Sequence, residues 1–535
     1  MRFLILLSAA ALLSTGLLSA DDAGKPMQLP QRIGVLDTVP ITLSEVIQRV
    51  LANDRDLEVS RILRDEAGFN VNAAKGVYDP RLGLTANRTH QVSPATSIIS
   101  GASNGKLTQN AYTADPSLAG SFPILGGTYK LDFPQARNTS DSALAGLNPQ
   151  YPTSLNLNLT QPLWRGLRYD DNRYRIQVAK KNTTLTLEQL RQRVIEVVTQ
   201  AIGSYWELDF AYRNLEVQVQ AVRLAEQQDG SNRRQLEQGL LAQVDVVQTQ
   251  TQIATFRQNV YTAQQSLTQA ENALKQLITA DRGDLLWSAA LIPEQRPDPR
   301  LVLPEIAEAT KLALTNRPEL AQNKIAAEVN RLDLKLSHEK TRPQIDAVGT
   351  LTTTGLAGRP LPPGSNPFGN LFGNIGGSLP PVLIGGYGQS LGNLAGINYP
   401  TAAIGLQMSI PLRNRTALAG EQVSVAEGRR IRAQQSQIEM AVEADVRNTL
   451  QSVSSAQDRL DAAADARKNS ESQYASEQRQ FQAGTSSVFL VLQRQTELIS
   501  ARIREIRARA DLGRAAAELD RSTAHTIEAQ NIRIP

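Results

Sequence analysis

From Tyr169 to Leu236 the chain has no proline, and from residue 187 its apolar residues recur at alternating steps of three and four. Positions 187, 190, 194, 197, 201, 204, 208, 211, 215, 218, 222 and 225 read Leu, Leu, Val, Val, Ala, Ser, Leu, Ala, Leu, Gln, Val, Ala; ten of the twelve are apolar. That spacing is the seam of a coiled coil. At 1.5 Å per residue such a helix spans about 100 Å. A bilayer core is only about 30 Å thick, and the helix is too polar to cross one, so it has to stand in water against partner helices. Past Gly239 the seam resumes at 253, 256, 260, 263, 267, 270, 274 and 277, all eight apolar. Late in the chain Phe489, Leu492, Ile499, Ile503, Ile506 and Ala510 follow the same logic.

The chain is also a duplication. "RQLEQGLLAQVDVVQT" (Arg234–Thr249) is echoed by "RQFQAGTSSVFLVLQR" (Arg479–Arg494). "LANDRDL" (Leu51–Leu57) lies over "LTNRPEL" (Leu314–Leu320), and "LNLNLTQPLWR" (Leu155–Arg165) over "IGLQMSIPLRN" (Ile404–Asn414). Three echoes in one order give two homologous halves, 41–302 and 303–527. They follow an N-terminal extension (21–40) and precede a tail (528–535). The proline-rich stretch Leu291–Pro304 reads as the linker between them.

Each half runs in the same order. A patterned helix opens it; in the first half Thr42 and Glu45 suit a capping box. The helix breaks near Asn53–Asp54, or Asn316–Pro318 in the copy, and Pro80 or Pro343 ends it. A strand follows, with Leu82, Leu84 and Ala86 alternating with polar or small residues, or Ile345, Ala347, Gly349 and Leu351 in the copy. Next come Gly/Pro/Ser/Asn-rich segments, about 93–150 and 355–400, that read as external loops; the first has room for a small hairpin around Phe122–Phe133. The chain returns as a second strand, with Leu155, Leu157 and Leu159, or Ile404, Leu406, Met408 and Ile410, on one face. The coiled-coil hairpin then follows. Gly239 and Gly484 supply the left-handed residue that ends a helix, so each echoed sentence is a hairpin tip. Leu240, Leu241 and Phe489 are expected to gather there, exposed, as a docking surface.

Four strands with one apolar face cannot close a barrel with a lumen, and an open edge cannot face lipid. Within a membrane, several chains have to share one barrel, and three would give twelve strands. The alternative is a small soluble sandwich capping a coiled coil.

Composition removes other classes. Charged residues are 20% of the 535, with a formal net charge of +4, a balance that argues against a nucleic-acid protein. There is no cysteine, hence no disulfide, thiolate metal site or thiol nucleophile. His90, His338 and His525 are the three histidines and have no ligand spacing. No phosphate loop and no nucleophile–base set occur, so no catalytic residue, cofactor or metal is expected. "MRFLILLSAAALLSTGLLSA" (1–20) reads as a signal peptide, or alternatively as an uncleaved anchor.

The signal peptide, the two halves, the "QPLWRG" junction (Gln161–Gly166), the "QGL" and "AGT" tips and the inter-repeat "LIP" (Leu291–Pro293) together resemble the TolC-like outer-membrane efflux proteins of Gram-negative bacteria. The resemblance covers nearly the whole chain. It implies a mainly α fold with a membrane β-barrel: duplicated strand–long-helix repeats that form, as a homotrimer, a twelve-stranded outer-membrane barrel on a periplasmic coiled-coil tunnel. It implies passive export within a tripartite efflux or type I secretion complex, in contact with outer-membrane lipid. The tips would dock to a periplasmic adaptor and an inner-membrane transporter, and the closed periplasmic end would open on engagement. Carried over by position, Gly239, Leu240, Gly484 and Thr485 fall on the tips, and Asp245 matches an acidic residue found there. Two positions that often carry pore-closing aspartates fall on Leu490 and Gln493. Neither is acidic, so the resemblance implies an apolar ring and an amide ring that close by packing and dewetting. The alternative places Leu490 in the helical seam. Rival functions are a periplasmic coiled-coil adaptor, which would have one hairpin rather than two, and a structural or adhesive coiled-coil protein.

Overall fold

The structure, a computed structural model, describes residues 32–95, 102, 105–142, 144–294, 301–362 and 379–533; the expected signal peptide lies outside them. In the first half the elements are β1 (Asp37–Ile41), α1 (Leu43–Asn53), α2 (Arg55–Lys75), β2 (Arg81–Pro94), β3 (Lys106–Ser121), β4 (Thr128–Asp132), β5 (Gln135–Ser140), β6 (Leu147–Pro162), α3 (Asp171–Glu237), α4 (Gln243–Ile278) and β7 (Ala289–Pro293). In the second they are α5 (Ile306–Asn316), α6 (Pro318–Thr341), β8 (Gln344–Pro360), α7 (Tyr387–Ala395), β9 (Pro400–Ser409), α8 (Arg415–Gln482), α9 (Val488–Ser522) and the short α10 (Thr526–Ala529). Both opening helices break where expected, at Asp54 and at Arg317. Thr42 caps α1, its Oγ1 accepting from the Glu45 N–H at 3.2 Å.

The described residues divide into two compact units, one drawn from Met1–Val59, Arg191–Arg317 and Met440–Pro535, the other from Ser60–Leu190 and Pro318–Glu439. The first unit is the helical one. Val194, Val197, Ala201, Leu208, Ala211, Leu215, Val222 and Ala225 of α3 are buried, as are Ile253, Phe256, Val260, Ala263, Leu267, Ala270 and Leu274 of α4. At the end of α4 the burial falls on Ile278, with Leu277 only half-buried. Val453, Ala456 and Leu460 of α8 pack with Ala508, Leu512, Ala515 and Leu519 of α9. Gly513 of α9 lies so close to Trp206 of α3 that a Cβ there would overlap the indole ring. β1 and β7 pair in parallel, Asp37 opposite Ala289 and Ile41 opposite Pro293. The stretch expected as linker from Leu291 therefore starts as a strand, because Ala289, Leu291 and Pro293 alternate into the core. Beside it Glu271, 1% exposed, receives the Arg32 guanidinium and lies 3.8 Å from Lys275 Nζ; burial pushes the Lys275 ammonium below its ordinary pKa.

The second unit holds an antiparallel sheet in the order β2-β3-β4-β6-β8-β9. β5 continues β4 along the same edges of β3 and β6, so the sheet has six strand positions. The segments expected as external loops, 93–150 and 355–400, need correction where they are described, and the small hairpin expected around Phe122–Phe133 is present and longer than expected; residues 96–101, 103–104, 143 and 363–378 lie outside the described residues. Within 93–150 the structure places β3, β4 and β5, a hairpin of two strand positions inserted between β2 and β6. Its prolines disguise it: Pro116 and Pro134 lack an N–H, yet their carbonyls serve the ladder, accepting from Phe133 and Ser154 at 2.9 Å each. Within 355–400, β8 continues to Pro360 and α7 packs onto the sheet. The Thr153 hydroxyl meets Ser390 Oγ at 2.8 Å, and a Cβ on Gly355 would strike the Ser390 carbonyl.

Candidate functional site at the helix tips

The two echoed sentences fold alike. After α3, Gly239 (φ +72°) lets the chain turn, its N–H donating to the Leu236 carbonyl and the Leu240 N–H to the Gln235 carbonyl, each at 2.9 Å. After α8, Gly484 (φ +75°) does the same, its N–H donating to Phe481 at 3.0 Å and the Thr485 N–H to Gln480 at 2.9 Å. Both are Schellman motifs, which satisfy the last carbonyls of a helix and need a residue in the left-handed region. Each returning helix is then capped. The Asp245 carboxylate accepts from the Ala242 N–H at 3.3 Å, and the Ser487 hydroxyl accepts from the Leu490 N–H at 3.4 Å. An acid near a helix N-terminus is favoured by the helix dipole, so Asp245 has a structural task of its own.

The tips share a small core. Phe481, Val488, Val491 and Leu492 are buried together, with Leu241 from the other tip packed on them. Leu241 was expected to be exposed; the structure turns it into this core instead. Leu240 is 73% exposed, Phe489 60%, and Val244 and Val247 continue the exposed apolar strip of the first tip.

Leu490 and Gln493 lie one turn apart on α9. The buried seam of that helix passes through Val488, Val491, Leu492 and Gln495, and Leu490, 38% exposed, lies outside it. Gln493 is exposed and its Nε2 donates to Glu497 Oε1 at 3.1 Å. Glu497 also holds Arg494 at 2.8 Å, and that bond keeps its carboxyl below the usual pKa range. The exposed face thus reads Leu490, Gln493, Glu497 upward from the tip. Spacing alone did not single out Glu497, although i, i+4 from Gln493 was its signal.

Sequence reading also missed a buried polar layer. Gln228 donates to Asn232, and Asn232 to the Thr249 hydroxyl, at 2.8 Å each. Gln495 is 1% exposed, and neither of its amide atoms has a partner among the described residues. The signal was the gap in the apolar seam between Ala225 and Ile253.

The sequence matches the model of a family described as outer membrane efflux protein over residues 46–280 and 309–525. No curated protein sequence matches it. Among solved structures the fold is similar to CusC, studied for the conformational changes of folding and transmembrane channel formation (16% identity, TM-score 0.63, 90% of this chain and 91% of that one). It is similar also to the CmeC outer membrane channel of Campylobacter jejuni (12%, 0.63, 92% and 90%) and to the open state of the MtrE outer membrane channel of Neisseria gonorrhoeae (14%, 0.60, 91% and 89%).

Proposed function

The chain belongs to the outer membrane efflux protein family, and from that premise we propose a homotrimeric, passive conduit whose helix tips meet a periplasmic adaptor and, with it, an inner-membrane transporter. Its role is the family's: an outer-membrane channel, extending into the periplasm, for efflux within a tripartite complex. The observation that carries the assembly is the pair of open sheet edges. β2 and β9 each have a neighbour on one side only, and all ten residues of β9 are exposed. Backbone groups cannot stand unpaired in hydrocarbon, so β2 of one copy pairs with β9 of the next until the ring closes against outer-membrane lipid. Nothing in the sequence suits nucleotide binding, so energy comes from the inner-membrane partner.

Docking is assigned to the tips Gly239, Leu240, Asp245, Gly484 and Thr485. The support is the exposed strip of Leu240, Val244 and Val247 beside Phe489; exposed apolar groups of this kind mark interaction surfaces. The constriction is assigned to Leu490 and Gln493, outside the buried seam, with the Glu497–Arg494 pair one turn further from the tip. Native mass spectrometry of the detergent-solubilised protein tests the reading: three chains are expected, with channel activity in planar bilayers. A freely soluble monomer that needs no surfactant would overturn it.

A further inference from the structure

The hairpin between β2 and β6 crosses the full height of the sheet. β3 has 16 residues, against 14 in β2 and 16 in β6. At one end Lys106 faces Pro94. At the other the chain turns through residues 122–127, where the Phe122 N–H donates to the Gly127 carbonyl at 2.7 Å and the Gln161 amide donates to the Leu125 carbonyl at 2.8 Å. A Cβ on Gly126 would meet the Gly166 carbonyl oxygen at 2.6 Å. The turn is therefore seated on the junction where β6 leads into α3.

The hairpin is also in register with the strands on both sides. Successive partners across all six positions read Leu82, Leu118, Leu131, Leu157, Leu351 and Ala402. One residue along, on the opposite face, they read Gly83, Ser117, Asp132, Asn156, Thr352 and Thr401. One row is apolar throughout and the other has no large apolar residue, the alternation of a wall between lipid and water. Leu118 and Leu131 belong to the hairpin, and a surface flap would have no reason to continue the apolar row through them.

The ends fit the same placement. The turn is apolar and exposed at Phe122 (43%), Ile124 (74%) and Leu125 (49%), beside exposed Leu163 and Trp164, as at the rim of a membrane span. Towards the other end, above the apolar row, the Arg88 guanidinium sits 5.4 Å from the centre of the Tyr112 ring, and Tyr112 pairs with Arg137. Aromatic and basic side chains suit the opposite boundary.

We propose that Lys106–Ser140 is membrane wall, so that the assembled trimer closes a barrel of eighteen strands rather than twelve. The count rests on the trimeric reading above. Barrel diameter grows about linearly with strand number, so six further strands make the barrel roughly half as wide again. The hairpin also places the Lys130–Asp132 ion pair, 2.8 Å, on the water-facing side.

The absence of native cysteine makes single-cysteine spin labelling of the full chain direct. Nitroxides at Leu118→Cys and Leu131→Cys in the hairpin, and at Leu157→Cys and Leu351→Cys outside it, are compared with Ser117→Cys and Thr352→Cys in reconstituted trimers. Labels at 118, 131, 157 and 351 are expected to relax with oxygen, those at 117 and 352 with a water-soluble nickel chelate. Electron microscopy of the same trimers is expected to count eighteen wall strands. If 118 and 131 report water while 157 and 351 report lipid, or if twelve strands are counted, the inference is overturned and the channel reading stands. If 157 and 351 also report water, the channel reading fails with it.

Discussion

Gly239 and Gly484, at matching points of the two halves, share one left-handed backbone conformation, φ +72° and +75°, and each folds its helix end through the same two hydrogen bonds. Neither has an atom within 4 Å of where a Cβ would stand, so a side chain meets backbone strain there and no clash.

Gly239→Val is therefore expected to disturb the tip alone. The left-handed region costs an L-residue about 1–2 kcal/mol, more when the side chain is β-branched. Adaptor binding, measured by surface plasmon resonance, should weaken while trimers persist in native mass spectra. Loss of trimers instead would make the tip a folding element.

Leu490→Asp and Gln493→Ala are each expected to raise single-channel conductance in planar bilayers, the first by wetting the proposed apolar constriction and the second by shortening a side chain that reaches Glu497. Unchanged conductance in both variants would remove these residues from the constriction.

Gly513→Ala is expected to destabilise the helical unit by about 1–3 kcal/mol, because its Cβ would overlap the Trp206 indole. Trp206→Leu in the same chain should recover part of that loss. Thermal melts of the four members of the cycle give the coupling, and additive shifts would mean that the contact is relaxed at no cost.

Tyr169 sets an alkaline limit on stability. Its side chain is 2% exposed, and burial, followed by the charges of Asp333 and Asp170, pushes its phenol up to about 12 from an ordinary 10.0. The folded state holds this proton more tightly than the unfolded state. The stabilisation is whole below pH 10 and is lost as pH rises towards 12, by at most about 3 kcal/mol. Denaturant unfolding across that range should show the decline, and Tyr169→Phe should lessen it, the remainder belonging to the neighbouring Tyr174, which burial and the Asp333 carboxylate also push up. An equal slope in the variant would refute the assignment.

Periodicity read from the sequence located the long helix almost to its ends, Tyr169–Leu236 against the observed Asp171–Glu237, because a seam repeated over so many turns leaves no competing reading. Leu277 was placed in the seam where the structure buries Ile278, since helix phase drifts near a terminus. The tip glycines were legible from the echo. The caps were legible only in part: Asp245 stood out as an acid, Ser487 did not. The hairpin was legible at its turn, expected around Phe122–Phe133 and found with Ser121 opposite Thr128, but its full length was not, because Pro116 and Pro134 are the residues that ordinarily argue against a strand. Small residues such as Ala114 and Ser117 in β3 also blur the alternation. Whether Leu490 lay in or out of the buried seam depended on helix phase at a tip, which spacing did not fix.

The hairpin leaves the two halves unequal: four strand positions come from the first and two from the second, while each supplies one pair of long helices. Because it enters as a complete up-and-down excursion, every later strand keeps its direction and its lipid-facing side. If the hairpin is wall as proposed, the width of a barrel built from this sheet changes in whole-hairpin increments while the sequence of the long helices stays as it is, so the two can evolve separately.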